Sequence, residues 1–479
     1  MMRALFTAVS GLGVHKSKMD VISNNIANVN TVGYKKSRMT FKETFNQTLQ
    51  GASAPQGGRG GTNPQQIGLG VGIGAMDTIH TIGVAETTDV PTDLMINGDG
   101  FFMVSDDASF LNRSYTRAGN FQIDRAGNLN NADGLRVLGY RVEDMGENPT
   151  FKSNLEGLVI SKAMTFPAKA TTKVTLTGQL NSETEKTIDL GTVGVEPAQG
   201  NVSDDPTKDA VLLLKNGKYE VNPTYADAVA KEVSFQAFDN LGGMHNFKQV
   251  YIKIKDKQVA AGPPAINNSQ YQVETFYVKK DGTMLHAGAA TTPPTATGTS
   301  PILEFDSSGK LVNTPKLSLE VGAGLTNGAG ALGFDVELNS DNIIMTSGES
   351  TMSDEQDGYK QGSLDTYTIG QDGIIQGTFT NGMKCSIGRL ALAKFKNPAG
   401  LLKTSGNMFI NTANSGSPIV GKPGESGFST LAGGKLEMSN VDIAKEFTDM
   451  ITTQRGFQAS AKIITTSDEI LQELVNLKR

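Results

Sequence analysis

The sequence predicts a multidomain chain: terminal α-helices forming a coiled-coil-like inner domain, with nested all-β domains of β-sandwich or β-barrel character between them. Three observations carry this expectation. Apolar residues recur at alternating steps of three and four at both ends of the chain, the spacing of a helix–helix seam. Between the ends, short alternating apolar runs are punctuated by Asn-Gly and Asp-Gly pairs, which mark hairpin turns. The composition, with 55 Gly, no Trp, 21 Phe and 10 Tyr, favours turn-rich β structure over a helical enzyme core.

At 479 residues the chain has room for roughly two to four domains with cores of their own. Its formal charge of −6 offers no basic excess for nucleic acid, although the first fifty residues carry seven Lys or Arg against Asp20 and Glu43. Cys385 is the single cysteine, which rules out an intrachain disulfide or a thiolate zinc site, and its neighbours Ile387, Leu390 and Leu392 suggest a packed strand position. No apolar run is long enough for a membrane span. Residues 1–20 lack the cleavage pattern of a Sec-type signal peptide, so the expectation is a cytoplasmic protein or one exported by a dedicated machine.

The first helix is read from Leu5, Val9, Leu12, Met19, Ile22, Ile26 and Val29, with Lys16 on the seam. Gly11 and Gly13 weaken it by about 1 kcal/mol each relative to Ala. An Asn-rich stretch follows, with Gly33 as the expected helix cap. Residues 1–32 with 439–479 are expected to form the inner helical domain, and 33–88 with 396–438 an extended or β connector. Within the connector, 50–66 reads as a loose linker. The run Gly68 to Gly74 alternates like a strand and lacks the Lys-Ser/Thr and helix start of a phosphate loop. Residues 89–144 with 359–395 are expected to make a compact β domain. Residues 145–358, polar and rich in turn signals, are expected to form an outer all-β domain of one or two lobes.

The second helix is expected to open at Ser439, three residues before Asp442 as in a capping box. Its seam is Phe447, Met450, Gln454, Phe457, Ala461, Ile464, Asp468, Leu471 and Val475, and most charged residues fall off it. One such seam does not offset the entropy of ordering two long helices, so the pair is expected to fold when neighbouring chains cover it.

Nothing points to catalysis. His15, His80, His245 and His286 lie in four segments without metal-ligand spacing, and Asp204-Asp205 and Asp354-Glu355-Asp357 lack the pattern of a calcium loop. No Gly-x-Ser-x-Gly elbow or local Cys/His dyad appears, so neither an enzyme nor a cofactor is expected. Lys35, Lys36 and Arg38 read as a solvated face or a salt-bridge patch between subunits.

Asn24-Asn25-Ile26-Ala27-Asn28 followed by Asn30-Thr31-Val32-Gly33-Tyr34-Lys35 resembles the N-terminal signature of the axial proteins of the bacterial flagellum, the rod and hook family. Ser439-Asn440-Val441-Asp442 to Met450-Ile451, with Gln454-Arg455-Gly456-Phe457-Gln458-Ala459-Ser460-Ala461-Lys462 and Ile470-Leu471, resembles the matching C-terminal signature. The segments Asn97 to Val104, Tyr115 to Asp124, Gly134 to Tyr140 and Gly388 to Gly400 are similar to hook proteins in particular. About half the chain is covered. The resemblance implies a subunit that polymerises with copies of itself into a curved, flexible tube transmitting torque from rod to filament. Terminal helices would line the channel and β domains form the wall. It implies as partners the flagellar rod, hook cap and hook–filament junction proteins and the flagellar type III export apparatus, with an extracellular location and no membrane insertion. The implied subunit-interface residues are Leu5, Val9, Leu12, Met19, Ile22 and Ile26 of the first helix and the nine seam positions of the second, together with Asn28, Asn30, Gly33, Tyr34 and Arg455. A distal rod or hook–filament junction protein is the alternative within the family, and the long insert between Met145 and Tyr359 favours hook. A secreted β-rich adhesin is the more distant alternative, and it would need a surface aromatic cluster or a calcium loop.

Overall fold

The computed structural model describes residues 2–55, 57–58, 60–144, 149–185, 202–203, 210–258, 267–287, 295–297, 301–313, 316–322, 328–338, 342–425 and 427–477. The chain forms two compact units. One comprises Met1–Met164, Leu364–Thr378 and Lys384–Arg479, the other Thr165–Ser363 and Phe379–Met383.

In the first unit, α1 (Met2–Ala27) and α2 (Ile443–Asn476) lie antiparallel, with Gly11 beside Ser460 and Asn25 beside Glu446. The N-cap of α2 is Asp442, whose carboxylate accepts from the Lys445 N–H at 3.2 Å. The expected capping box at Ser439 does not form. Ser439 Oγ accepts from the Val441 N–H instead, because the chain there has just left a strand (Lys435–Glu437). Gly33 is likewise not the cap of α1, which ends at Ala27. Glycine is required there because φ is +67° and a Cβ would sit 2.5 Å from the Ala118 nitrogen.

After α1 the chain makes a two-stranded arm. β1 (Ser37–Glu43) pairs antiparallel with β4 (Val71–Thr78), β2 (Asn46–Gln50) with β3 (Gln65–Gly68), and Ser53 bridges Thr62. Part of the expected linker at 50–66 is thus hairpin, its polar residues aligned by a register that the flanking strands impose. The glycine-alternating stretch is strand in β4, as its period indicates.

Both ends of the chain then build one β body. β5 (Ala85–Thr87) pairs with Lys435–Glu437, and β6 (Leu94–Asn97) with Thr430–Gly433. β7 (Phe101–Ser105) lies between β8 (Ser114–Thr116) and strands at Arg136–Asp144 and Leu392–Lys394. Phe101, Met103, Tyr115, Leu138, Phe395 and Phe409 fill its core. Cys385 is buried in the strand Lys384–Leu390, a packed thiol.

The chain enters the second unit at Thr165, later than the expected boundary at 145, because 150–157 pairs back onto the strand Arg136–Asp144. The second unit packs two sheets face to face. One is built on Val229–Phe238, Met244–Gln258 and Asn267–Val278, the other on Lys173–Asn181, Lys316–Val321, Leu332–Glu337 and Thr351–Gln356. They share a core containing Leu176, Phe235, Phe247, Tyr251, Leu319 and Phe334. A satellite core under the 212–221 hairpin holds Leu212, Tyr219, Tyr225 and Phe276.

Candidate assembly interface

The helix pair meets along a seam of small and polar residues. On α2 the positions facing α1 recur every seven residues: Glu446, Thr453 and Ser467 are buried and Ser460 is half-buried. On α1 Gly11 lies beside Ser460, His15 beside Gly456 and Asn25 beside Glu446, and Ala8, Val14 and Ile22 are buried as well. Small side chains permit close approach. A Cβ on Gly11 would meet Ser460 Oγ at 3.0 Å, and one on Gly456 would meet the His15 ring at 2.7 Å.

On α2 this seam runs one residue earlier than the apolar repeat in the sequence, a rotation of about 100°; on α1 Gly11, His15 and Asn25 likewise precede Leu12, Lys16 and Ile26, while Ile22 belongs to both. Of the expected interface residues, Ile22, Gly33 and Tyr34 are buried, while Leu5, Leu12, Met19, Ile26 and Asn28 are half-buried. Met450, Phe457, Ala461, Ile464 and Leu471 are also half-buried, whereas Val9, Asn30, Phe447, Gln454, Arg455, Asp468 and Val475 are exposed. Several large apolar side chains are therefore left facing water. Val9 is 57% exposed and Phe447 49%, and Phe6, Ile443, Ile451, Ile463, Ile470 and Leu474 are exposed as well. A pattern search keyed to hydrophobicity finds this outward stripe and misses the seam; the seven-residue repeat of Glu446, Thr453, Ser460 and Ser467 is the signal that reveals it.

Gly456→Val is expected to push the helices apart by steric overlap with His15, weakening the pair by about 1–3 kcal/mol. Faster hydrogen exchange along α2, with unchanged melting of the β body, is the measurement that checks it.

A buried polar network ties the helices to the β body. The Asn25 amide donates to the Ser37 carbonyl (2.8 Å) and to Glu446 Oε2 (3.1 Å), while its oxygen accepts from the Ser37 N–H. The Tyr34 hydroxyl donates to Asn24 Oδ1 at 2.8 Å. Asn440 accepts from the Lys36 N–H and donates to the Ile79 carbonyl, each at 2.8 Å. At the centre lies Glu437, fully buried. One carboxylate oxygen holds the equally buried Lys35 and accepts from the Gly83 N–H, and the other faces Arg117 Nη1 at 3.3 Å. Burial pulls the Lys35 and Arg117 pKa values down, and the Glu437 carboxylate opposes that pull. The sequence expectation for Lys35 is thereby corrected: the β body closes over it because a carboxylate is present to compensate its charge. Arg38 keeps to the surface, paired with Asp77.

His80 packs edge-on against Phe101 at 5.6 Å and beside Phe409 at 5.3 Å, facing Lys35, Arg117 and Lys403. Burial, then these cations, push its pKa from 6.5 down to about 4, with only the Pro398 carbonyl opposing. Between those values the unfolded chain takes a proton that the folded chain refuses. Stability present above pH 6.5 is therefore lost as pH falls to about 4, by up to about 3 kcal/mol. His80→Phe is expected to flatten that part of the stability–pH curve, measured by urea unfolding from pH 7 to 4.

The other three histidines pack against their neighbours: His15 edge-on against Phe41, His245 between Asp239 and Tyr277, and His286 against Glu274. Among the described residues no group of three or more His, Cys, Asp or Glu could hold a metal, and no helix is long and apolar enough to cross a membrane. What this arrangement does is hold two helices at a fixed attitude and present their apolar flanks.

Four family models match the chain. They are described as flagella basal body rod protein (residues 5–35), flagellar hook protein FlgE/F/G D1 domain (95–181), flagellar basal body protein FlaE D2 domain (199–359) and flagellar basal body rod FlgEFG protein C-terminal (432–477). The chain is 34% identical to the flagellar hook proteins FlgE of Borreliella burgdorferi and of Treponema pallidum, in each case over the whole of both chains. It is 28% identical, again over the whole of both chains, to the flagellar basal-body rod protein FlgG of Bacillus subtilis.

Proposed function

Because this chain belongs to the flagellar hook protein family and is a structural subunit of the hook, we propose that it polymerises with copies of itself into a curved, flexible tube that passes torque from rod to filament. One observation supports the reading above all: the helix pair meets on a seam of mostly small and polar residues and leaves Phe6 and Val9 at the start of α1, and Phe447, Ile451, Ile463 and Ile470 along α2, exposed. An exposed apolar surface of this kind marks a contact site. Further copies cover it along the tube, and the rod, hook cap and hook–filament junction proteins cover it at the ends. The role is structural rather than catalytic. The subunit works outside the cell, delivered by the flagellar type III export apparatus.

The rod reading is the second one, favoured by the full-length likeness to a rod protein. Electron microscopy of the purified full-length protein under polymerising conditions separates the two. Short curved tubes are the expected product; straight, stiff rods would favour the second reading, and discrete monomers would sink both.

A further inference from the structure

The core of the β body is open on one side. Phe110, Tyr140, Leu155 and Val420 are half-buried and pack against it, and the same four side chains form the apolar floor of a cleft of about 690 Å³. A volume of that order suits a small ligand or a short peptide segment. Arg113, Ser153 and Glu156 stand on its rim, beside further hydroxyl and amide groups. No lining residue belongs to either helix, so the cleft is separate from the surface read above as an assembly contact.

Charge on this rim is unbalanced. Glu156 is already held, by Arg141 at 3.6 Å and by Lys152 at 3.2 Å. Lys422 lies over the Tyr140 ring at 5.7 Å and shares Glu425 with Arg389. Arg113 donates through Nε to the Phe110 carbonyl at 2.9 Å, and among the described residues no carboxylate pairs with it. Five cations thus surround the cleft with two carboxylates between them. Asp106 and Asp107, on the same loop as Arg113, do not line it and accept instead from Asn112 and Ser109. The Nε bond leaves the two Nη groups of Arg113 to take a carboxylate by a pair of parallel N–H bonds. It also pins a strained turn, since Phe110 sits at φ +56°, so cation and ring are set in place before anything binds.

An apolar group laid on the floor alone would withdraw Arg113 from water without pairing it, and a carboxylate alone would leave the floor wet. A ligand that carries both satisfies both, and the hydroxyl and amide groups of the rim suit the backbone of a peptide. We propose that this cleft binds a segment of a partner protein in which an apolar side chain stands beside an Asp or Glu, the apolar group on the floor and the carboxylate on Arg113.

Saturation-transfer NMR on the full-length protein with three end-blocked tetrapeptides, Gly-Phe-Asp-Gly, Gly-Phe-Asn-Gly and Gly-Ala-Asp-Gly, tests this. The Phe-Asp peptide is expected to bind in the millimolar range and the other two roughly fivefold more weakly. Ser153→Glu, a change at an exposed rim position, is expected to weaken the Phe-Asp peptide by a similar factor and leave the Phe-Asn peptide unchanged. Arg113→Gln is expected to erase the preference for Asp over Asn, and Arg113→Lys to keep part of it. Equal binding of the Asp and Asn peptides by the parent protein, equal binding of the Phe and Ala peptides, or no saturation of any of the three would overturn the proposal. So would a preference for Asp that survives Arg113→Gln. Where Arg113→Gln unfolds the β body, Ser153→Glu decides: an undiminished preference for Asp overturns the proposal, and a reduced one supports it.

Discussion

Glu437→Gln is expected to destabilise the first unit by about 3–5 kcal/mol, the cost of leaving buried charges without their counter-ion. Two cations, Lys35 and Arg117, depend on that one carboxylate, and both are almost wholly withdrawn from water. The amide keeps a similar shape and can still accept from the Gly83 N–H, so the loss reports charge rather than volume. Urea unfolding at pH 7, followed by the signal of the β body, measures it. Adding Lys35→Met should recover part of the loss, because the double change removes one of the stranded cations. A Glu437→Gln protein as stable as the parent would show that water reaches the cluster. The network joins segments from opposite ends of the chain, 33–38 with 435–440, so its loss should also loosen the hold of the β body on the helices.

Deleting Ser439 to Arg479 is expected to abolish assembly while leaving the β body folded. The deletion removes α2 but retains Glu437 and the strand Lys435–Glu437 that pairs with β5. It uncovers Ile22 and Ala8 on α1, and α1 should then be largely unfolded, since single helices of this kind gain most of their stability from packing. Sedimentation and electron microscopy should find only small species, and thermal unfolding of the β core should remain close to that of the parent. Tubes formed by the truncated protein would refute the role given to α2. Loss of the β transition along with assembly would show that helices and β body unfold as one cooperative unit.

By itself the sequence determined the helices at both ends, the turn-punctuated β body between them, the strand character of the Gly68 to Gly74 run, and the family. Each of these rests on local chemistry. Periodic apolar spacing, Asn-Gly turns and short signature motifs act over a few residues and read the same in any context. The tertiary structure decided which face of each helix meets the other. The apolar repeat of Phe447, Met450 and Phe457 marks a surface to be buried without saying by what, and within one chain Glu446, Thr453, Ser460 and Gly456 pack closer because they are small or can hydrogen-bond. Only the fold could show that Lys35 is buried, since the compensating Glu437 lies some four hundred residues along the chain. Gly33, read from its position as a helix cap, is held by a long-range contact with the backbone at Ala118. The common physical reason is that compensation of charge and fit of small side chains are pairwise terms between distant segments, whereas hydrophobic periodicity belongs to one segment alone.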